Sequence, residues 1–225
     1  MLLCWQEKGN SLVPVSSSRS LTGMPWSQVS DLPNLHNKNQ NMSGDRYPIT
    51  DQNACYFLTI TVVSWVDIFI RPVYKQIITD SLNFCVENKG LTIFGWCLMT
   101  NHLHLVAEAR EGHKLSHIIR DFKKFTARLI LKETDFEPEG RRDWIQYRFE
   151  FAGKYLKTVE KYHFWQEGSH AIYLDPHKPE MMRHRLNYVH ENPVRAAIVE
   201  EPKDYLYSSA RDYCGEKGLV KIELL

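Results

Sequence analysis

The sequence predicts an α+β protein in which helices pack against an antiparallel sheet. Segments rich in β-branched and aromatic residues, typical of strands, recur between residues 56 and 107. Between and after them lie segments whose apolar residues repeat at helical spacing, most clearly at residues 115–132. The chain has 225 residues, 43% of them hydrophobic, which suits one principal domain with an ordinary packed core.

The elements follow one another in the order β-α-β-β-α-β-α. Pro72 opens the first helix, Lys89-Gly90 ends it, and Asp175-Pro176 starts the last one. This order predicts a ferredoxin-like, split βαβ fold with two helices on one face of the sheet, followed by a further C-terminal helix. The predicted strands are residues 56–63, 91–98, 102–107 and 170–174, and the predicted helices are residues 72–88, 115–132 and about 175–191.

Three segments lie outside this pattern. Residues 1–46 are rich in Ser, Asn, Gln and Pro without a regular period, which predicts a loosely ordered extension, and Met42 suggests a start nearer the domain. Within the main domain, residues 47–215, the charged segment 133–162 is expected to be an insertion. Residues 216–225 are expected to be a tail. The insertion is either a peripheral decoration or, through Arg141, Arg142, Trp144 and Tyr147, a part of a binding surface.

Composition narrows the class of protein. The net charge is +1, so any nucleic-acid surface must come from local clusters of Lys and Arg. The five cysteines are an odd number without metal-binding spacing, which indicates free thiols in a reducing compartment. No apolar run approaches the roughly 20 residues that a membrane span needs. We therefore expect a cytoplasmic protein with no membrane partner.

A histidine pair lies on the third predicted strand, in the segment Met99-Thr100-Asn101-His102-Leu103-His104-Leu105-Val106. Side chains alternate along a strand, so His102 and His104 share one face while Leu103 and Leu105 point to the other. Two neutral imidazoles placed in this way can bind one divalent ion. A lone His-x-His pair is a weak signal, and surface or hydrogen-bonded histidines are the more common explanation of it.

The last predicted helix carries a second group of polar residues. Its inward stripe is Met182, Leu186 and Val189, and Tyr188 lies roughly 120° from the centre of that stripe. Asn192 follows one turn later on the same face as Tyr188. Pro193 is expected to restrict Asn192 to the helix end. Since Asn before Pro is also a common helix terminator, the spacing alone leaves a purely structural role open.

Together these segments resemble a known family. "MTNHLHLV" is similar to the HUH motif of single-tyrosine transposases, and "LNYVHENPVRAAIV" resembles the tyrosine-helix motif of their REP-associated branch. Residues 121–126 and 205–210 are also similar to that branch. The resemblance runs from about residue 56 to residue 213, with both motifs in the family's order, and leaves residues 1–46 and 133–162 uncovered.

The resemblance implies a transposase that nicks and transfers single-stranded DNA. It makes Tyr188 the nucleophile that forms a 5′-phosphotyrosine, and it makes His102, His104 and Asn192 ligands of Mg²⁺ or Mn²⁺. The implied partner is single-stranded, hairpin-forming DNA, with the protein associated with the bacterial nucleoid when bound. A monomer is favoured and a dimer is possible. Basic residues between Lys114 and Lys132 are expected to contact phosphates, although a solvated helix face explains such a run equally well. The expected DNA contacts are Arg120, Lys123, Lys124 and Arg128, joined by Arg195 beside the tyrosine helix.

Three other classes compete with this interpretation. Replication initiators and relaxases of the HUH type often carry paired tyrosines or a third histidine, and neither pattern is present. A His-x-His phosphoesterase needs a further alternating histidine, but position 106 is Val. A catalytically silent DNA-binding protein with the same fold remains the principal alternative. The presence of the expected nucleophile and of all expected metal ligands argues against it.

Overall fold

The computed structural model describes residues 48–138, 140–154 and 161–225 of the chain. The predicted extension at residues 1–46, with its alternative start, lies outside these residues. A four-stranded sheet is formed by β1 (Tyr56–Thr61), β2 (Leu91–Leu98), β3 (His102–Ala109) and β4 (Ile172–Tyr173). The strand order is β2-β3-β1-β4 and every neighbouring pair is antiparallel. This confirms the predicted α+β, ferredoxin-like class.

In the part of the chain that the structure describes, five helices accompany the sheet: α1 (Pro72–Asn88), α2 (Leu115–Glu133), α3 (Arg142–Gly153), α4 (Pro179–Arg195) and α5 (Ala210–Tyr213). Short 3-10 turns lie at Val63–Trp65 and Pro202–Asp204. Among the described residues, no helix combines the length and apolar character that crossing a membrane requires.

The two faces of the sheet bury two different cores. Leu103 and Leu105 of β3 belong to the larger core together with the apolar faces of α1 and α2. Phe57 of β1 and Val106 of β3 point to the opposite face and pack in a smaller core with Val189 of α4. Since side chains alternate along a strand, the face that bears the histidines is the one that α4 covers.

The segment predicted as an insertion contains α3, and one face of this helix is apolar and buried. Ile145 and Phe149, four residues apart on one helix face, are fully buried in the larger core. The Phe149 ring lies 5.0 Å from that of Phe164. This part of the segment is therefore not a peripheral decoration. Residues 216–225 also contact the domain, because Val220 is buried in the larger core and Glu223 N donates to Ile93 O at 2.9 Å.

The last helix and the last strand differ in extent from the sequence prediction. α4 begins at Pro179 and continues through Pro193 to Arg195, so the expectation that Pro193 ends the helix is wrong. Proline interrupts one hydrogen bond of the helix through its missing N–H, but the helix continues past it, since Ala196 N donates to Asn192 O at 3.0 Å. Only two residues of the predicted strand 170–174 pair regularly with β1, since His170 adopts a φ of +34°.

Candidate active site

The paired histidines of β3 converge on one point. Their Nε2 atoms lie 3.1 Å apart, and their ring centroids lie 4.6 Å apart. His102 Nδ1 is 2.7 Å from Asn101 Oδ1, and His104 Nδ1 is 3.0 Å from Thr59 Oγ1 on β1, its cross-strand partner. With both Nδ1 atoms engaged, the Nε2 atoms are the ones directed at a common ligand.

A chain of hydrogen bonds fixes the orientation of His102. Asn101 Nδ2 donates to Asp67 Oδ1 at 2.9 Å, and Thr100 Oγ1 donates to the same oxygen at 2.6 Å. Because the amide nitrogen of Asn101 is the donor to Asp67, its oxygen faces His102 and accepts the Nδ1 hydrogen. The lone pair of His102 therefore lies on Nε2, as a metal ligand requires.

Both imidazoles are neutral at physiological pH. Burial lowers the pKa of His102, although Asp67 partly opposes this effect. Burial, followed by the charge of His102, lowers the pKa of His104 to about 3. An uncharged imidazole carries the lone pair that binds a metal. Both histidines therefore have the protonation state that binding a cation requires.

The histidine pair fits an octahedral divalent ion. For ligand bonds of about 2.1 Å at right angles, two donor atoms lie about 3.0 Å apart, close to the observed 3.1 Å. Within the described residues, no group of three or more His, Cys, Asp or Glu side chains is placed to hold an ion. An ion at this pair would therefore need further ligands of another kind, such as an amide oxygen or water.

α4 brings Tyr188 to the histidines of its own chain. The phenol ring lies 5.5 Å from the ring of His104 and 5.8 Å from that of Phe57. Asn192 lies one turn further along α4, where its Nδ2 donates to Tyr188 O at 3.2 Å. This bond leaves the Asn192 Oδ1 as the atom suited to a cation.

A buried polar contact holds α4 on β2. His190 Nε2 lies 2.8 Å from Ser209 Oγ, which accepts a hydrogen bond from Trp96 N at 2.9 Å. Burial lowers the pKa of His190 to about 4, so its ring is neutral. At Gly95, an added Cβ would lie only 2.4 Å from Leu186 Cδ1, and the missing side chain permits the close approach of α4. The position of Tyr188 thus depends on this interface.

Two arginines of α4 lie beside the site. The Cζ atom of Arg195 is 5.5 Å from the Tyr188 ring centroid, and that of Arg185 is 5.1 Å from the Phe57 ring centroid. Arg195 was expected from the sequence, whereas Arg185 was not. Its spacing of three residues before Tyr188 was the available signal, because residues so spaced share a helix face.

The predicted basic residues of α2 lie on the other side of the sheet from the histidines. Arg120 is exposed and pairs with Asp121 at 2.8 Å, while Lys124 and Arg128 are exposed. Lys123 donates from Nζ to the carbonyl oxygens of residues 166 and 168, at 2.7 and 2.6 Å, and so supports the connection before β4. The structure does not bring this run to the histidine pair, and its DNA contacts stay a prediction.

Comparison with known proteins identifies the family. Residues 55–192, more than half of the chain, match the family described as IS200-like transposases; the match includes the histidine motif and the tyrosine-helix motif as far as Asn192. The comparison with curated proteins gives no match. A solved structure of a REP-associated tyrosine transposase bound to a REP hairpin is 17% identical, with a TM-score of 0.55, over 81% of this chain and 92% of that one. This similarity shows the shared fold. The chain belongs to the IS200-like transposase family.

Proposed function

We propose that the protein is a metal-dependent, single-stranded DNA endonuclease and strand transferase that forms a 5′-phosphotyrosine on hairpin-forming repeat DNA. The observation that carries the proposal is the position of the Tyr188 ring, 5.5 Å from His104 in the same chain. Family membership supports transposition as the process. The hairpin substrate is inferred from the solved relative, which is bound to a REP hairpin.

The reaction requires a group that screens the negative charge of the phosphate and a nucleophile that conserves the energy of the phosphodiester bond in a covalent link. Mg²⁺ or Mn²⁺ bound by His102, His104 and Asn192 would polarise a non-bridging phosphate oxygen and offset its negative charge. Tyr188 Oη attacks phosphorus and the P–O3′ bond breaks. The phenol loses a proton while the leaving oxygen gains one, giving a free 3′-OH and a 5′-phosphotyrosine.

The covalent link explains strand transfer without a nucleotide cofactor. A 3′-OH of another strand attacks the same phosphorus, the bond to Tyr188 Oη breaks and the phenol recovers its proton. The charge of Arg195, whose guanidinium lies over the Tyr188 ring, favours a phosphate at this position. Phe57, stacked on His104 with 5.3 Å between ring centroids, keeps the imidazole in place.

A covalent-adduct assay tests the proposal. A hairpin with a single-stranded flank, labelled at its 3′ end, is incubated with protein and Mn²⁺ and analysed under denaturing conditions. We expect a labelled protein adduct that EDTA prevents and that Tyr188→Phe abolishes. The exposed Tyr173 of β4 provides the matched control, since Tyr173→Phe should retain the adduct.

Each other outcome contradicts a specific part of the proposal. An adduct that survives Tyr188→Phe would place the nucleophile elsewhere. Nicking without an adduct would indicate direct hydrolysis. Binding without cleavage would favour the alternative, a catalytically silent DNA-binding protein.

We also propose that the protein acts as a monomer, because Tyr188 lies at the histidines of its own chain. Mixing the inactive variants Tyr188→Phe and His102→Ala tests whether one chain supplies both the tyrosine and the histidines. A site built within one chain gives no adduct from the mixture. Recovered adduct formation would show that protomers exchange their tyrosine helices.

A further inference from the structure

Trp65 is an exposed indole in the connection between β1 and α1. It ends the 3-10 turn Val63–Trp65, and 61% of its surface is exposed. Val63, two residues before it, and Val66, directly after it, are only 5% and 1% exposed, so the turn is anchored in the core while the indole is not. An exposed indole offers a large, flat apolar face to a planar partner.

The backbone holds Trp65 in this outward position. Ser64 and Trp65 both have a φ of +54°, in the left-handed region that residues with side chains seldom adopt. Such conformations persist where surrounding contacts enforce them, and they cluster at functional sites. Trp65 N donates to Val62 O at 3.2 Å, and Asn101 Nδ2 donates to Trp65 O at 3.4 Å.

This position is tied directly to the active site. Asn101 contacts Trp65 through its amide nitrogen and His102 through its amide oxygen. The indole and the His102 imidazole lie 6.3 Å apart, edge to face. Arg141 Nη2 donates to Asp67 O at 3.1 Å, which places a guanidinium on the segment that follows Trp65. The π-face of an indole suits a nucleotide base, and a guanidinium on the same segment suits a phosphate.

We infer that Trp65 forms a stacking subsite for one base of single-stranded DNA, next to the phosphate that is cleaved. The inference rests on the proposed function, because the phosphate at the histidines brings its neighbouring base within reach of the indole. Stacking on an aromatic ring tolerates any base. The subsite therefore positions the strand without selecting its sequence.

Substitution of Trp65 tests the subsite. Trp65→Ala should weaken binding of a single-stranded oligonucleotide, and lower the rate of adduct formation, by about tenfold. Trp65→Phe should restore most of the loss because it keeps an aromatic face. Phe84→Ala is the matched control, since Phe84 is 54% exposed but lies on α1, which packs on the other side of the sheet. It should leave both quantities unchanged.

An abasic scan separates stacking from a structural effect. Abasic nucleotides are placed one at a time around the cleavage position. We expect one position to reduce adduct formation by the wild type and to have no further effect on Trp65→Ala. If Trp65→Ala lowers adduct formation by the same factor relative to the wild type on every abasic substrate, the indole does not act on one base and the subsite is refuted. No adduct with the wild type would refute the proposed function itself, whereas an active wild type with an equally active Trp65→Ala would refute the subsite alone.

Discussion

Replacing Ser209 with alanine tests whether one buried hydroxyl holds α4 on the sheet. Ser209 is fully buried, and its Oγ accepts hydrogen bonds from Trp96 N at 2.9 Å and from His190 Nε2 at 2.8 Å. The same hydroxyl donates to Trp96 O at 3.3 Å, which assigns the hydrogen of the His190 contact to the imidazole. Alanine leaves two buried N–H groups, one on β2 and one on α4, without a partner.

The number of unpaired donors sets the expected loss of stability. A buried polar group left without its hydrogen bond costs about 1–3 kcal/mol, so the two N–H groups together should lower the free energy of unfolding by about 2–6 kcal/mol. With a loss near 3 kcal/mol and a denaturant slope of about 2 kcal/mol per molar, the urea midpoint should fall by about 1.5 M.

Ser81→Ala provides a matched control. Ser81 is also buried, but its Oγ only donates to Ile77 O, at 2.6 Å, within α1. That carbonyl keeps its backbone helix bond when the hydroxyl is removed, so the loss should stay below about 1 kcal/mol. Urea unfolding followed by tryptophan fluorescence measures both variants. A loss for Ser209→Ala no larger than that for Ser81→Ala would refute the reasoning.

The substitution should also affect the chemistry. Tyr188 precedes His190 by two residues on α4, so loosening the His190 contact displaces the phenol from the imidazoles. Under conditions where Ser209→Ala remains folded, we expect slower adduct formation than for Ser81→Ala. Equal rates would show that other contacts of α4 suffice to hold the tyrosine in place.

Four further predictions rest on burial and hydrogen bonding. His102→Ala and His104→Ala should both abolish Mn²⁺ binding measured by calorimetry. The free energy of unfolding should be about 1–3 kcal/mol lower for His104→Ala than for His102→Ala, because only the former removes a buried partner of Thr59. Equal stabilities of the two variants would contradict this. Asp67→Ala should weaken Mn²⁺ binding about 10–100-fold with little effect on unfolding, and an unchanged affinity would separate Asp67 from the site. At pH 8, iodoacetamide should modify the exposed Cys214 faster than three buried thiols, because burial raises their pKa. Equal modification rates in peptide mass spectrometry would contradict the burial of these thiols. Since these thiols ionise less readily when folded, stability should also fall as pH rises above about 9. The protected thiols are Cys55 and Cys97, with pKa values of about 12, and Cys85, with a pKa of about 11.

Strand periodicity was sufficient to predict the face of the histidine pair. Leu103 and Leu105 had to point into the core, so His102 and His104 had to point away from it. Periodicity does not say which element covers the second face. That result depends on α4 reaching β2 through Gly95 and Leu186, a contact between distant parts of the sequence.

Residues that act through other residues were missed for the same reason. Thr59 supports His104 because β1 and β3 pair in one particular register, and a single strand does not reveal its register. Asp67 lies in a connection without periodicity, and only the fold brings it to Asn101. In contrast, the i, i+4 spacing of Ile145 and Phe149 was visible in the sequence and predicts the buried face of α3.

The segment after α4 explains why a helix on the outer face of the sheet keeps a fixed position. Tyr205 OH donates to Leu98 O at 2.7 Å, and Leu98 N donates to Tyr207 O at 2.9 Å, so this segment pairs with the end of β2 next to β3. Two residues later, Ser209 reaches back to His190. α4 is thus held at its C-terminal half by a chain that returns to the strand beneath it. The tyrosine comes to the histidines because the residues that follow it in sequence are bound to the sheet.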